Sequence, residues 1–361
     1  MFSNTTHHHN GNSKSEPVRL TFLRHGQSTW NQQNIFIGMT DTPLTFEGRQ
    51  EAMSAGKMLS TLGIEFDAVH TSLLKRSTNT VNLVLQEMDL EWLPVHKDWR
   101  LNERNYGALV GANKKQCVEE FGKDQVKRWR RSWDEPPPPM SKSSPYYPYR
   151  DRRYEILGIK ESEIPLCESL KDVTKRTSLF WDEVIVPQLK NHKRLLIVGH
   201  ENNLRSLIKR LDNVTNEDII HVELPRAIPL VYHLDPVTLK PLPISGSAEY
   251  LNGRYLCTPA ELKNIAERDF KQVYDVNSPL GKGLGPANVV SVNSGLCRGV
   301  NKYMLSNSLL IVLRTFCFRA PMVRWTLPPC TVCILLISST FSTTSTRTLQ
   351  RRCIQLPCRL N

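Results

Sequence analysis

Residues 18–26 read VRLTFLRHG, a short run rich in apolar and β-branched side chains that ends in an arginine, a histidine and a glycine. A run of this kind, bounded by glycine, is typical of a buried strand. Because Gly26 lacks a Cβ atom, the backbone can turn sharply there and approach a ligand closely. The segment therefore places Arg24 and His25 at the end of a predicted strand.

Strand-like and helix-like stretches alternate along the rest of the chain, which predicts an α/β fold. The predicted strands are Val18–Leu23, Phe66–His70 and Arg194–Val198, and the predicted helices are Glu47–Leu62, Leu73–Met88, Leu170 to about Pro187, and Asn202–Leu211. Thr215 and Asp218 resemble a capping box that opens a further short helix. We expect a three-layer fold in which helices flank a mostly parallel central sheet.

The three predicted strands lead into reactive or cationic side chains. His25 follows the first strand, the helix after the second carries Arg76, and His200 follows Gly199 at the end of the third. Ligands of open α/β sheets bind at the carboxyl ends of strands, so these groups are expected to converge. A single histidine after a strand is usually structural, but two of them, each beside a glycine and before a helix, favour a functional site.

The chain is predicted to have three parts. Residues 1–16 are polar and indicate a disordered lead-in without a secretory signal. Residues 17–280 are predicted to form one domain that carries the functional site, and within it residues 99–168 break the alternation and are expected to form a substrate-binding or lid region. Residues 281–361 hold six cysteines, ten Lys or Arg and no acidic residue, and indicate an irregular, disordered tail of non-homologous sequence. The alternative is a genuine basic extension that binds anions or a membrane surface.

The net charge of +12 comes mainly from this tail, because the rest of the chain holds 37 basic and 35 acidic residues. Nucleic-acid binding by the predicted domain is therefore not expected. Three scattered cysteines in the domain suit a reducing compartment, which predicts a cytoplasmic protein. No run of eighteen apolar residues predicts a membrane span. No metal site is expected either, since His7–His9 and the pair Cys330 and Cys333 lack further ligands.

The segment Leu23-Arg24-His25-Gly26-Gln27-Ser28 resembles the signature of the histidine phosphatase superfamily. Further segments, within a likeness from Arg19 to Tyr274, resemble its cofactor-dependent phosphoglycerate mutases: Trp30-Asn31, Gly38, Arg100–Arg104, Tyr106-Gly107, Arg130–Asp134, Pro136–Met140 and Ile228–Val231. The resemblance implies an isomerase of glycolysis and gluconeogenesis that interconverts 3-phosphoglycerate and 2-phosphoglycerate, primed by the cofactor 2,3-bisphosphoglycerate. It also implies a homodimer or homotetramer, and a helical region at residues 259–276 that closes over the site.

The resemblance assigns a role to each candidate site residue. His25 matches the nucleophile that carries the phosphoryl group, and Glu103 matches the general acid and base, for which an ion pair with Arg100 or Arg104 is the structural alternative. The remaining predicted catalytic residues, which would hold the phosphoryl oxygens, are Arg24, Arg76 and His200. The predicted substrate-binding residues are Arg24, Ser28, Asn31, Ile37, Gly38, Arg76, Glu103, Arg104, Tyr106, Lys114, Arg130, Arg131, Glu201 and Asn202.

The chain departs from the mutase pattern at three places. Glu201-Asn202-Asn203 stands where Gly-Asn-Ser is common, Ile37 replaces Ser or Thr, and Arg226-Ala227 replaces Thr-Gly. Glu201 brings a negative charge near the phosphate site unless its side chain points away. Two alternatives to the mutase stay open. One is a phosphatase of the same superfamily, in which water accepts the phosphoryl group from the histidine, and the other is a catalytically weak relative that serves as an interaction scaffold.

Overall fold

In the computed structural model, which describes residues 16–191, 193–275, 277, 334–335 and 353–354, a six-stranded sheet forms the centre of the catalytic domain. Its strands are β1 (Val18–Arg24), β2 (Ala68–Thr71), β3 (Val95–Lys97), β4 (Leu195–Gly199), β5 (Leu230–Leu234) and β6 (Arg254–Tyr255). The order across the sheet is β3-β2-β4-β1-β5-β6. The first four strands in this order run parallel to one another, whereas β5 is antiparallel to β1 and β6 is antiparallel to β5.

Helices cover both faces of the sheet and give the domain three layers. Their bounds are α1 (Thr29–Gln32), α2 (Phe46–Thr61), α3 (Lys75–Glu87), α4 (Lys114–Phe121), α5 (Lys123–Arg131), α6 (Arg152–Ile156), α7 (Leu170–Phe180), α8 (Val186–Lys190), α9 (Glu201–Asp212) and α10 (Pro259–Tyr274). Side chains of α2 and α3 pack on one face of the sheet, and those of α7 and α9 pack on the other.

The central strand β4 is covered on both faces. Leu195 and Ile197 pack with the side chains of α7 and α9, while Leu196 and Val198 pack with those of α2 and α3. All four side chains are fully buried. A strand enclosed in this way must be apolar at every position rather than at alternate positions. This explains the uninterrupted apolar run from which the strand was predicted.

The predicted α/β fold is confirmed, and each predicted strand and helix is present with ends shifted by no more than three residues. The sheet is mostly parallel as predicted, since three of its five strand pairs are parallel. Strands β3, β5 and β6 were not predicted, and β5 and β6 run antiparallel. The helix expected to end near Pro187 continues to Lys190. A π-helical turn at Trp181–Ile185 joins α7 to α8, and Pro187 lies in the first turn of α8, where a missing N–H breaks no intrahelical hydrogen bond.

The predicted insert, residues 99–168, contains α4, α5 and α6, of which α4 and α5 contribute to a small separate core. That core includes Val118, Val126 and Met140, which pack together with Phe36. The three helices have only eight, nine and five residues, which is too short to repeat an apolar face. The absence of clear periodicity in this part of the sequence follows from those lengths.

The chain divides into two units, Met1–Ala287 and Asn288–Asn361. In the second unit the structure describes a two-residue antiparallel pair, β7 (Ile334–Leu335) with β8 (Cys353–Ile354). Almost all of the predicted lead-in and tail lies outside the described residues. Within the described part, no helix is long and apolar enough to cross a membrane, and no cluster of three His, Cys, Asp or Glu could hold a metal ion.

Two glycines bring the loop after β1 into direct backbone contact with the first turn of α2. A Cβ atom on Gly26 would lie 2.1 Å from the carbonyl oxygen of Gly48, and one on Gly48 would lie 2.0 Å from the carbonyl oxygen of Gln27. No side chain fits at such distances, so both positions require glycine. The contact fixes the loop that follows His25.

We expect Gly48→Ala to destabilise the domain, although helix propensity alone favours alanine over glycine by about 1 kcal/mol. Overpacking costs about 1–3 kcal/mol, and here the added methyl group meets rigid backbone. The free energy of unfolding in urea should therefore fall. Ser54→Ala, on the exposed face of α2, is the control and should leave stability nearly unchanged. A Gly48→Ala variant as stable as the wild type would contradict a tight backbone contact.

Candidate active site

The register of β1 against β4 places two histidines side by side. Arg24 pairs with Gly199 across these parallel strands, and the backbone N–H of His25 donates to the Gly199 carbonyl oxygen at 3.0 Å. The rings of His25 and His200 follow, with centroids 4.9 Å apart. The carboxyl edge of the sheet thus brings together the histidines that end two of the predicted strands.

Hydrogen bonds define the tautomer of the His25 ring. Its Nδ1 lies 2.7 Å from the carbonyl oxygen of Gly26, so Nδ1 carries the proton and donates it. Its Nε2 keeps a lone pair, which accepts a hydrogen bond from Arg76 Nε at 3.2 Å. Burial, together with the charges of Arg76 and Arg24, holds the pKa of His25 well below its usual value. The ring is therefore neutral, and Nε2 can act as a nucleophile.

Arg76 is a buried cation that is fixed by the backbone. Its Nη1 and Nη2 donate to the carbonyl oxygens of Thr40 and Gly38 at 2.8 and 3.0 Å. Burial lowers the pKa of Arg76 to about 10, so the guanidinium still carries its charge at neutral pH. Within the described residues its hydrogen bonds go to neutral acceptors, which leaves the charge uncompensated by direct contact. A phosphoryl group beside His25 would be stabilised by this charge.

His200 lies beside the ring of His25 and does not line the cavity next to it. Its ring is fully buried, and Nε2 lies 2.8 Å from Ser72 Oγ. Burial and the charge of Arg76 hold the pKa of His200 well below its usual value, so this ring is neutral too. Ser72 was not among the predicted site residues. The available signal was its hydroxyl group, which follows shortly after a predicted strand.

Glu103, which belongs to the insert, lines the same cavity as His25. Its Oε1 accepts hydrogen bonds from the backbone N–H of Arg104 at 2.7 Å and from the backbone N–H and Nδ2 of Asn202 at 3.2 and 3.1 Å. Asn202 is itself oriented by Arg205 Nη1, which donates to its Oδ1 at 3.1 Å. Among the described residues Glu103 forms no salt bridge, so the alternative ion pair is not observed. All three hydrogen bonds fall on one oxygen, so the other can meet a substrate atom.

A cavity of about 30 Å³ lies beside His25. Every residue that lines it was named in the sequence analysis: Arg24, His25, Asn31, Ile37, Gly38, Arg76, Glu103, Tyr106, Lys114, Arg130 and Glu201. Ile37, which stands where the mutase pattern has the hydroxyl of Ser or Thr, is part of this wall. Burial and the charge of Arg130 lower the pKa of Lys114 to about 7, so that lysine is only partly charged at neutral pH.

Four predicted substrate-binding residues do not line this cavity: Ser28, Arg104, Arg131 and Asn202. Ser28 caps α1 by accepting the backbone N–H of Asn31 at 3.3 Å. Arg104 is fully buried, donates to the carbonyl oxygen of Arg130 at 2.8 Å and stacks on the ring of Tyr106. These two residues therefore support the wall of the cavity from behind.

A second cavity of about 50 Å³ shares Lys114 and Arg130 with the first and is closed by α10. Arg130 Nη1 donates to the hydroxyl of Tyr274 at 2.6 Å, and Gln272 Nε2 donates to the carbonyl oxygen of Asn31 at 2.9 Å. The helix near the end of the domain thus covers the site, as the resemblance implied. The lining residues that the sequence analysis did not name as site residues are Glu223, Arg226, Asp269, Phe270, Gln272, Val273 and Tyr274.

Glu201 lies in the wall common to both cavities and forms two short salt bridges. Its Oε2 lies 3.1 Å from Arg24 Nη2, and its Oε1 lies 2.5 Å from Arg131 Nη1. Burial alone would raise the pKa of Glu201, but the charges of Arg131 and Arg24 outweigh it and hold the pKa well below its usual value. The side chain that could have pointed away from the site therefore points into it as a carboxylate.

Three solved structures are similar to this chain at low identity. The alpha-ribazole phosphatase from Shigella flexneri is 24% identical with a TM-score of 0.46, over 62% of this chain and 93% of that one. A mycobacterial glucosyl-3-phosphoglycerate phosphatase is 21% identical with a TM-score of 0.46, over 60% and 92%. The protein YhfR from Bacillus stearothermophilus is 20% identical with a TM-score of 0.48, over 64% and 98%. At such identities the likeness concerns the fold.

The prediction that the chain is an isomerase is wrong by these comparisons. The similar structures from Shigella flexneri and from mycobacteria are named as phosphatases, which are hydrolases. The isomerase was predicted from segments that resemble the phosphoglycerate mutases, both within the insert and at Trp30-Asn31, Gly38 and Ile228–Val231. The coarser resemblance, to the superfamily, is the part that stands.

The signature around His25 is matched independently by a family model. Residues 20–157 match the model described as "Histidine phosphatase superfamily (branch 1)". The matched residues include His25, Arg76 and Glu103, which line the cavity. Residues 20–157 of the chain are therefore similar to the histidine phosphatase superfamily, branch 1.

Proposed function

We propose that the chain is a phosphatase that hydrolyses a small phosphate monoester through a phosphohistidine on His25. The observation that carries this proposal is the state of the His25 ring, a buried neutral imidazole with its proton on Nδ1 and its Nε2 lone pair 3.2 Å from Arg76 Nε. A nucleophile poised beside a fixed cation suits attack on a phosphoryl group, because the phosphoryl oxygens need charge stabilisation during transfer.

In the first step, Nε2 of His25 attacks the phosphorus atom and the bond between phosphorus and the ester oxygen breaks. The departing alcohol oxygen takes a proton from the carboxylic acid of Glu103, which becomes a carboxylate. Arg76 and Arg24 stabilise the phosphoryl oxygens throughout. The products of this step are a free alcohol and a phosphohistidine.

In the second step, water attacks the phosphohistidine and the bond between Nε2 and phosphorus breaks. Glu103 takes the proton of the attacking water and returns to the acid form, while inorganic phosphate leaves. This cycle uses the side chains of the cavity and a water molecule. A separate primer is not required, because the substrate itself phosphorylates His25, so 2,3-bisphosphoglycerate is proposed only as one phosphoryl donor to be tested. A cytoplasmic location and a homo-oligomer stay predictions.

The alternative of a catalytically weak scaffold has less support. Both of the residues that would carry the chemistry, His25 and Glu103, line the cavity with their hydrogen-bond partners in place. A scaffold would have no need for a buried imidazole in a defined tautomer, which is costly to keep beside two guanidinium groups.

We expect His25→Ala to abolish phosphate release from p-nitrophenyl phosphate and to abolish the acid-labile phosphorylation of the protein during turnover. The reason is that, in the described part of the chain, His25 contributes the one imidazole that lines the cavity. His96→Ala, which removes an exposed histidine on β3, is the control and should retain both signals. Quenched-flow labelling followed by mass spectrometry measures them. Turnover by His25→Ala at a rate near that of the wild type would contradict the proposal.

Glu103→Gln keeps the shape and the hydrogen bonds at Oε1 but cannot exchange a proton. Loss of general acid–base help typically lowers a rate by about a hundred- to ten-thousandfold. A nitrophenolate leaving group needs little protonation, so with p-nitrophenyl phosphate the first step should be nearly preserved and the second step slowed.

We therefore expect Glu103→Gln to show a burst of nitrophenol and to accumulate phosphohistidine, which stopped-flow absorbance and mass spectrometry detect. Glu119→Gln, at an exposed position on α4, should behave as the wild type. Unchanged steady-state hydrolysis in Glu103→Gln would mean that the carboxyl group has only a structural role.

A further inference from the structure

The charges in the two cavities are distributed unevenly. Arg76, beside the nucleophile, donates only to His25 and to the carbonyl oxygens of Thr40 and Gly38 within the described residues. Its positive charge therefore meets no carboxylate in direct contact. A dianionic phosphoryl group placed here would be the first anion to pair with it.

Of the cations that line the second cavity, Arg24, Arg131 and Arg226 are paired with acidic side chains, whereas Lys114 and Arg130 form no salt bridge within the described residues. Arg131 contacts Glu201 at 2.5 Å and Glu223 at 2.8 Å. Arg226 contacts Asp269 at 3.4 Å and lies 3.8 Å from Glu51. An anionic group of a substrate would have to compete with these carboxylates for the same guanidinium groups.

Among the carboxylates that pair with arginines, Glu201 lines both cavities and also pairs with Arg24 at 3.1 Å. Both of its oxygens are engaged, one by each arginine, and its side chain is only 12% exposed. It is also the first residue of α9, where the helix dipole favours a negative charge. The two arginines and the helix dipole thus all stabilise the negative charge of Glu201.

We infer that Glu201 determines substrate specificity by excluding phosphate monoesters whose alcohol part carries a second anionic group. The inference rests on the proposed phosphatase function. The phosphoryl group binds beside Arg76, the alcohol part extends toward Glu201, and a carboxylate or second phosphate there meets a fixed like charge. A neutral alcohol part with hydroxyl groups avoids this repulsion and can donate hydrogen bonds to the carboxylate. The substrate class is therefore the phosphate monoester of a neutral, hydroxylated alcohol.

Two esters of the same size test this inference, because they differ only in one end group. Glycerol 3-phosphate ends in a hydroxymethyl group, and 3-phosphoglycerate ends in a carboxylate. For the wild-type full chain we expect kcat/KM to favour glycerol 3-phosphate by about ten- to a hundredfold, the effect of two like charges a few ångströms apart in a partly buried site. Glu201→Gln and Glu201→Gly should each reduce this preference by about tenfold or more, mainly through KM for 3-phosphoglycerate.

Glu183→Gln is the matched control, because it also removes a carboxylate from an arginine, here Arg100 on the surface away from the cavities. It should leave the preference unchanged. Thermal melts of each variant show that the fold is retained. A preference that stays the same in both Glu201 variants, or a wild-type preference for 3-phosphoglycerate, would overturn the inference.

Equilibrium binding separates this inference from the proposed function. Calorimetric titration of both esters into the His25→Ala variant measures the same discrimination without any turnover. If the wild type releases phosphate from neither ester nor from p-nitrophenyl phosphate, the proposed phosphatase fails, while the binding ratio still tests Glu201. Equal affinity for the two esters would overturn the role of Glu201 whether or not the chain is a phosphatase.

Discussion

The imidazole of His25 is neutral because it lies buried among guanidinium groups, and the site depends on this constraint. A proton on Nε2 would add a positive charge beside Arg76, whose own charge cannot move because two backbone carbonyl oxygens hold it. The proton on Nδ1 is retained by the carbonyl oxygen of Gly26. The register of β1 against β4 and the contact between Gly26 and Gly48 keep the ring where these interactions act.

The sequence predicts those strands whose apolar composition follows directly from their buried position in the sheet. β1 and β4 are apolar runs enclosed between two helical layers, so each could be predicted from its own residues alone. Because ligands of open α/β sheets bind at the carboxyl ends of the strands, His25 and His200 were then expected to lie together. Strands β3 and β6, with three and two residues, are too short for a pattern. The direction of β5 is set by its pairing with β1, which no local pattern reports. The helix continued beyond Pro187 because a π-helical turn precedes it.

The site was predicted unevenly for a related reason. Residues around His25 lie in segments with a recognisable signature, and all of those that line its cavity were named beforehand. Residues contributed by α10, such as Asp269 and Tyr274, come from a segment whose relation to the site is purely tertiary. Arg131 was recognised as a cation, but the sequence does not report that Glu201 and Glu223 already pair with it. The isomerase was predicted from the resemblance, which does not report how these charges are paired.

The state of the His25 ring can be measured directly by ¹⁵N NMR of the histidine side chains in the full chain, with the signals assigned by their loss in His25→Ala. Burial and the neighbouring arginines lower the pKa of His25 well below its usual value, so the ring should remain neutral at about pH 6, where an ordinary histidine is mostly protonated. We predict a protonated Nδ1 and an unprotonated Nε2 at that pH. Two protonated nitrogens at about pH 6, or a proton on Nε2 with none on Nδ1, would contradict the account.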